Sequence, residues 1–349
     1  MTHVKHVTRD WAAEWATGGG EPLRFLGPDG GLVQPDLPRP PDDLVREALR
    51  LMLLSRALDE KCTNLHRQGR LGLYAPVQGQ EAAVVGSHLA IDPAVDWLVP
   101  ASREQPAMLR HGWALDRMLA SFLGRIDAAR IPDHVRMLPR QQSIAAQLPH
   151  AVGIAWATSI RGLDGVTLAY CGDGATSEGD FHEACNLAGV MGVPLVLVVI
   201  NNQYAISTPV SRQTRATRLA DRARGYGFPG VAVDGDDLFA MYEVTRQAVE
   251  RARAGQGPTM IEAVTYRMSF HNTSDNPSLY RDPSEVATAG QNDPVARLVA
   301  YATGAGVMRP DAIEAVEAEV RAEVEAALDR ALSHPAPGPE EIFRHVFAD

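Results

Sequence analysis

The chain has 349 residues, 33 of them basic and 43 acidic, for a formal net charge of −10 at pH 7. Only Lys5 and Lys61 are lysines, and so acidic a balance lacks the electrostatic footprint of a nucleic-acid binder. At 45% hydrophobic the chain can bury a large core.

Cys62, Cys171 and Cys185 show neither CxxC spacing nor an even count, which argues against a disulfide framework or a zinc site. The longest apolar run, VPLVLVVI at 193–200, is too short to span a bilayer, and MTHVKHVTRDWAAEW lacks a signal-peptide core. A cytoplasmic protein without membrane contact is expected.

Residues 1–40 hold GGGEP, GPDGG and PDLPRPP and read as an extended arm able to lie on another surface. Asp42 and Asp43 start a helix with apolar residues at helical spacing, and Gly69 stops it. Residues 80–125 alternate helical patterns with short turns. From 165 the pattern changes to apolar runs separated by helical segments: VTLAYC, PLVLVVI, VAVDGDD and TMIEAVTYR. Strands alternating with helices predict an α/β fold with a doubly wound, mostly parallel sheet. Residues 311–334 set Ile313, Val316, Val320, Val324, Leu328 and Leu332 on one stripe of a closing helix. The organisation expected is an arm (1–40), an α/β domain (41–300) and a C-terminal helical segment (301–349).

The strongest chemical signal is YCGDGATSEGD (170–180) followed by VVINNQYAIS (198–207), with 26 residues between Gly174 and Asn201. Each group follows an apolar strand, and ligands of parallel sheets bind at the carboxyl ends of strands. GDG alone is a common turn, and NN alone a common loop start. Together they bring the Asp173 carboxylate, the Asn202 amide oxygen and the Tyr204 carbonyl to one crevice. Hard oxygen donors on an incomplete shell suit Mg²⁺ completed by phosphate oxygens. Gly172 and Gly174 are expected to let the backbone approach a diphosphate, with the next helix aimed at it.

GDG, 26 residues, NN resembles the thiamine-diphosphate and Mg²⁺ motif of thiamine-dependent enzymes. NLHRQGRLGLYAPVQGQEAA, GDGATSEGDFHEACNLA, NNQYAISTPVSRQT and YRMSFHNTSDNPSLYR together resemble the decarboxylase alpha subunit of 2-oxo acid dehydrogenase complexes, from about residue 22 onward. The resemblance implies that family's thiamine-diphosphate-binding fold. It assigns Mg²⁺ ligation to Asp173, Asn202 and the Tyr204 carbonyl. Gly174 and Ala175 match positions whose backbone lines the diphosphate. The family's Tyr-Arg phosphate clamp corresponds to Ser102-Arg103, so the arginine is kept and the phenol is not. Arg215 falls where branched-chain members place a second phosphate-binding arginine. QQSIAAQLPHAVG (141–153) resembles the segment against the aminopyrimidine, which makes Gln142 a cofactor contact and Ile144 the apolar wedge that bends the cofactor.

His271 matches the family's active-site histidine, with Phe270 and Asn272 where many relatives carry Gly or Pro and Ser or Thr. Its segment is rich in Asn, Ser, Asp and Pro and is expected to be mobile, with few groups able to anchor it. The resemblance implies oxidative decarboxylation of a 2-oxo acid and reductive acylation of a lipoyl group on an acyltransferase core. No glutamate here matches the one that acts on the aminopyrimidine. In two-chain members it belongs to a beta subunit, so an α2β2 heterotetramer is expected. The His271-to-Arg281 spacing resembles branched-chain members, while RQGRLGLYAP and IPDHV resemble certain bacterial pyruvate members. Branched-chain acids are favoured, with pyruvate next. The alternatives are a catalytically silent partner of a beta subunit and an acetoin-cleaving relative.

Overall fold

The computed structural model describes residues 21–344 and 346. Its strands are β1 (Trp97–Val99), β2 (Thr167–Gly172), β3 (Leu195–Asn201), β4 (Tyr204–Ala205), β5 (Thr208–Pro209), β6 (Gly230–Asp234) and β7 (Thr259–Val264). Five of them form one sheet in the order β1-β2-β3-β7-β6, every neighbouring pair parallel. β4 and β5 make a short antiparallel ribbon beyond the end of β3.

Both faces of the sheet are covered, which is why its strands read as unbroken apolar runs. Leu168, Tyr170, Val196 and Val198 point into the larger apolar cluster, and Ala169, Cys171, Leu197 and Val199 into the smaller. The principal helices are α1 (Asp42–Arg67), α2 (Glu81–Leu89), α3 (Gln147–Ile160), α4 (Gly179–Met191), α5 (Leu238–Arg253), α6 (Pro294–Gly304) and α7 (Pro310–Ser333). The larger cluster collects residues of α1, α2, α5, α6 and α7, and the smaller one residues of α3 and α4. Among the described residues no helix is long and apolar enough to cross a membrane.

Local chemistry sets the helix ends. Asp42 and Asp43 sit in the first turn of α1, where the backbone dipole favours them, although neither caps it by a side-chain bond. Gly69 and Gly255 follow α1 and α5 with φ of 69° and 74°, a left-handed turn that glycine adopts without a Cβ penalty.

Residues 1–20 of the arm lie outside the described residues, and the rest lies on this chain's own body. Leu23 bridges Val233 at the sheet edge, Phe25 and Leu26 are buried, and their amides donate to Asp237 Oδ2 at 2.5 and 2.7 Å. The 300/301 division falls inside α6, whose Leu298 and Tyr301 are buried in the core shared with Ile313, Val320, Val324 and Leu328 of α7. The stretch 80–125 also contains β1, whose three residues are too few for a periodic signal.

Candidate functional site

The site is built where adjacent parallel strands end. Gly172 of β2 stands level with Ile200 of β3, and Asn201 of β3 level with Val264 of β7. The chain therefore releases Asp173, Asn202 and Arg267 side by side, and Asp173 and Asn202 open into a cavity of about 280 Å³. Asp173 is buried and accepts a hydrogen bond from Gln213 Nε2 at 2.9 Å. Burial pushes its carboxyl pKa up, against the opposing hydrogen bond from Gln213. Asn202 donates from Nδ2 to Gln80 Oε1 at 3.0 Å, and its Oδ1 accepts from the Tyr204 amide at 3.3 Å. The Tyr204 carbonyl accepts from Arg267 Nη1 at 3.1 Å. Amide, carboxylate and carbonyl oxygens each keep a further lone pair, so this donor set fits a hard, oxygen-seeking cation. Among the described residues no group of three or more His, Cys, Asp or Glu gathers to hold a metal, so a cation here needs oxygens from a ligand as well.

The two glycines of the GDG turn have different reasons. A Cβ on Gly172 would meet nothing within 4 Å, and the residue lines the cavity, leaving backbone bare to a ligand. A Cβ on Gly174 would lie 2.7 Å from Ala205 Cβ, so that glycine serves packing against β4. A 3₁₀ turn, Gly174–Ser177, then intervenes before α4, which starts at Gly179 and not directly after the turn. Three non-glycine residues around the cavity hold left-handed backbone: Ala145 (φ 65°), Gln203 (φ 76°) and Ile206 (φ 55°). Such conformations cost about 1–3 kcal/mol each and collect at sites whose shape is imposed.

Three guanidinium groups, Arg103, Arg267 and Arg281, are buried, and none has a carboxylate partner within ion-pair distance among the described residues. Arg103 donates to Pro76 O at 2.8 Å, to His271 Nδ1 at 2.9 Å and to His271 O at 2.5 Å. Burial and the nearby Arg267 push its pKa down to about 10. Arg267 donates to Tyr204 O, to Ile206 O at 2.7 Å and to the Tyr280 hydroxyl at 2.8 Å, while its Nε is buried without a partner. Buried charges held only by neutral groups are costly, and an anionic ligand removes that cost. Gln80 Nε2 is a further buried donor without a partner among the described residues, at about 1–3 kcal/mol if nothing accepts from it.

His271 lines the same cavity from the segment after β7. Burial, then Arg103 and Arg267, lower its pKa to about 4, so the imidazole is neutral at physiological pH. The expectation that its segment lacks anchors is corrected. Thr273 exchanges hydrogen bonds with Tyr74, the His271 amide donates to Asp275 at 2.7 Å, and buried Arg281 donates to the carbonyls of Arg267 and Ser269. Tyr74 lies 199 positions from Thr273, and the nearer anchors, Asp275 and Arg281, act through a folded geometry that composition does not reveal.

Ser102, Arg103, Ile144, Asp173, Gly174, Ala175, Asn202, Tyr204 and His271 thus line one cavity. Ile144 keeps 62% of its surface exposed, a large apolar side chain standing in the opening. Gln142 and Arg215 do not join them. Both are exposed, and neither side chain reaches the cavity wall.

A family model described as the dehydrogenase E1 component matches residues 49–340. The chain belongs to the dehydrogenase E1 component family. Within it, this E1 chain is similar to the 3-methyl-2-oxobutanoate dehydrogenase subunit alpha of Mycobacterium tuberculosis, at 40% identity over 334 residues, 94% of this chain and 90% of the relative. It is also similar to the pyruvate dehydrogenase E1 component subunit alpha of Staphylococcus aureus, at 38% identity over 313 residues, 89% of this chain and 84% of the relative. The same subunit of Staphylococcus epidermidis matches at 38% over 313 residues.

Three residues of this E1 chain escape a reading by motif. Gln80 holds Asn202, Gln213 holds Asp173, and Arg267 holds the Tyr204 carbonyl. Their sequences, VQGQ, SRQT and TYR, sit inside the segments that carry the family resemblance, but glutamine has no chemistry of its own to draw attention.

Proposed function

We propose that this chain is the alpha subunit of a decarboxylase component that acts oxidatively on a 2-oxo acid, with branched-chain acids favoured and pyruvate next. It works with a beta subunit in an α2β2 assembly and passes the acyl group to the lipoyl group of an acyltransferase core. The observation that carries the reading is the joint opening of Asp173, Asn202 and the Arg103–His271 pair into one cavity at adjacent strand ends.

Thiamine diphosphate, when bound, would supply the electron sink that lets carbon dioxide leave a 2-oxo acid. Asp173, Asn202 and the Tyr204 carbonyl would hold Mg²⁺, and Arg103 and the bare backbone at Gly172 would receive phosphate oxygens. Ser102, Gly174 and Ala175 would line the diphosphate end and Ile144 would wedge the ring system. Gln142 and Arg215 could contact the cofactor only after moving. His271, neutral and held by Arg103, would orient or pass a proton at its free Nε2.

The test is a kcat/KM comparison of 3-methyl-2-oxobutanoate with pyruvate, using the chain with its beta subunit and acyltransferase. The branched acid is expected to be the better substrate; a preference for pyruvate reverses the assignment. No thiamine-diphosphate-dependent turnover of either acid, with cofactor binding intact, would favour the silent partner.

A further inference from the structure

We propose that Gln80 is the positioning residue that fixes which end of the Asn202 carboxamide faces the cavity. This inference rests on the metal-site reading given above. The two amide groups constrain each other. Asn202 Oδ1 accepts from the Tyr204 amide, so its Nδ2 must be the donor, and Gln80 must present Oε1 to it at 3.0 Å. With Nδ2 so engaged, the lone pair remaining on Oδ1 belongs to the cavity. Without Gln80, Asn202 gains a rotated state in which its NH₂ competes for that place and repels a cation.

The position of Gln80 is itself built. It is buried and lines the cavity at the start of α2. The preceding Gly79 has φ 91°, and a Cβ there would lie 2.3 Å from the Tyr266 carbonyl, so the backbone runs flush against the end of β7. Glu81 Oε2 accepts the Gly79 amide at 2.9 Å, and Glu81 in turn pairs with Arg56. A residue pinned on both sides and buried against a liganding side chain acts as an orienting group, the kind whose loss typically costs about 10–100-fold in metal affinity.

The acceptor role predicts an asymmetric substitution pattern. Gln80→Leu removes the acceptor. Gln80→Glu keeps an oxygen for Asn202 Nδ2, replaces the far-side donor with a second oxygen and brings a carboxyl group whose charge would favour a cation. Mn²⁺ binding is read by electron paramagnetic resonance in the full chain assembled with its beta subunit and thiamine diphosphate, with melting temperature and circular dichroism as controls. Gln80→Leu is expected to weaken Mn²⁺ by at least about tenfold, and Gln80→Glu to stay within about threefold of wild type. Equal affinity in Gln80→Leu and wild type overturns the proposal while leaving the metal site standing. A loss in Gln80→Glu as large as in Gln80→Leu also overturns it, because the acceptor would then not be what matters. Wild-type protein that binds no Mn²⁺ overturns the metal-site reading and this inference together. Should Gln80→Leu fail to fold, Gln80→Met decides. Gln80→Met fills similar space without an oxygen acceptor, so it is expected to weaken Mn²⁺ by at least about tenfold, and wild-type affinity in it overturns the proposal.

Discussion

At the scale of single residues, His271 and Asp173 are shifted by burial in ways that make opposite demands on pH. The folded chain holds His271 near a pKa of about 4 against an ordinary 6.5, so the unfolded chain binds its proton more readily. Stability present above pH 6.5 is therefore lost as the pH falls toward 4. His271→Gln should make the fall of Tm over that window shallower, as scanning calorimetry would show; an unchanged slope would assign the loss to buried His88 and His111, which are shifted the same way. Asp173 is raised by burial, so its carboxylate costs folding something that the proposed cation would return. Asp173→Ala should leave Tm unchanged or slightly higher while weakening Mn²⁺ and thiamine diphosphate by about a hundredfold or more, beyond what a merely supporting residue costs. Calorimetric titration that finds wild-type affinity would remove Asp173 from the site.

At the scale of elements, the loop from Tyr74 to Gln80 hangs on one buried carboxylate. Asp59 of α1 accepts from the Tyr74 hydroxyl at 2.6 Å and from the amides of Val77 and Gln78 at 2.9 and 3.0 Å. That loop offers the Pro76 carbonyl to Arg103 and Gln80 to Asn202. Burial raises Asp59 to a pKa of about 7, so its contribution is full below pH 3.8 and is lost as the pH rises through 7. Asp59→Ala would strand two buried donors and a half-buried one, and should cost about 3 kcal/mol by urea denaturation. Asp59→Asn should lose less Tm than wild type between about pH 5 and pH 8, because it carries no charge to bury. Tm curves that run parallel would mean that Asp59 stays ionised throughout. The elements themselves were largely readable. β2, β3, β6 and β7 declared themselves because a sheet covered on both faces needs consecutive apolar residues, and α1 and α7 because a stripe must face a core. The cavity lining was readable where a residue type carries chemistry, at Asp173, Asn202 and His271. Gln80 and Arg267 act through geometry that only the folded strand ends create, and the pinned His271 segment depends on Tyr74, almost two hundred positions earlier in the chain.

At the scale of the whole molecule, α3 and α4 cover one face of the sheet but leave large apolar side chains outward. Ile160 is 71% and Val190 73% exposed, with Trp156, Leu163, Leu187 and Met191 also showing. Scattered apolar residues are ordinary, but a group of this size on two adjacent helices and the turn after the first fits a surface that a subunit covers. Ile160→Asp with Val190→Asp should weaken association with the beta subunit by about thirtyfold, near 2 kcal/mol, while the isolated chain keeps its Tm within a degree or two. Sedimentation analysis of the mixture measures this; unchanged association would place the beta subunit on another face.

The left-handed backbone at Ile206 has a consequence for anyone breeding this protein. A β-branched residue at φ 55° is an unwelcome guest, and glycine would sit there without protest. Yet Ile206 also forms part of the cavity wall. Selection for heat resistance should therefore drift toward Ile206→Gly, and selection for turnover should drift back. A library ranked under both pressures would find position 206 among the sites where the two orders disagree, and the sign of that disagreement would report the strain without any structure being solved.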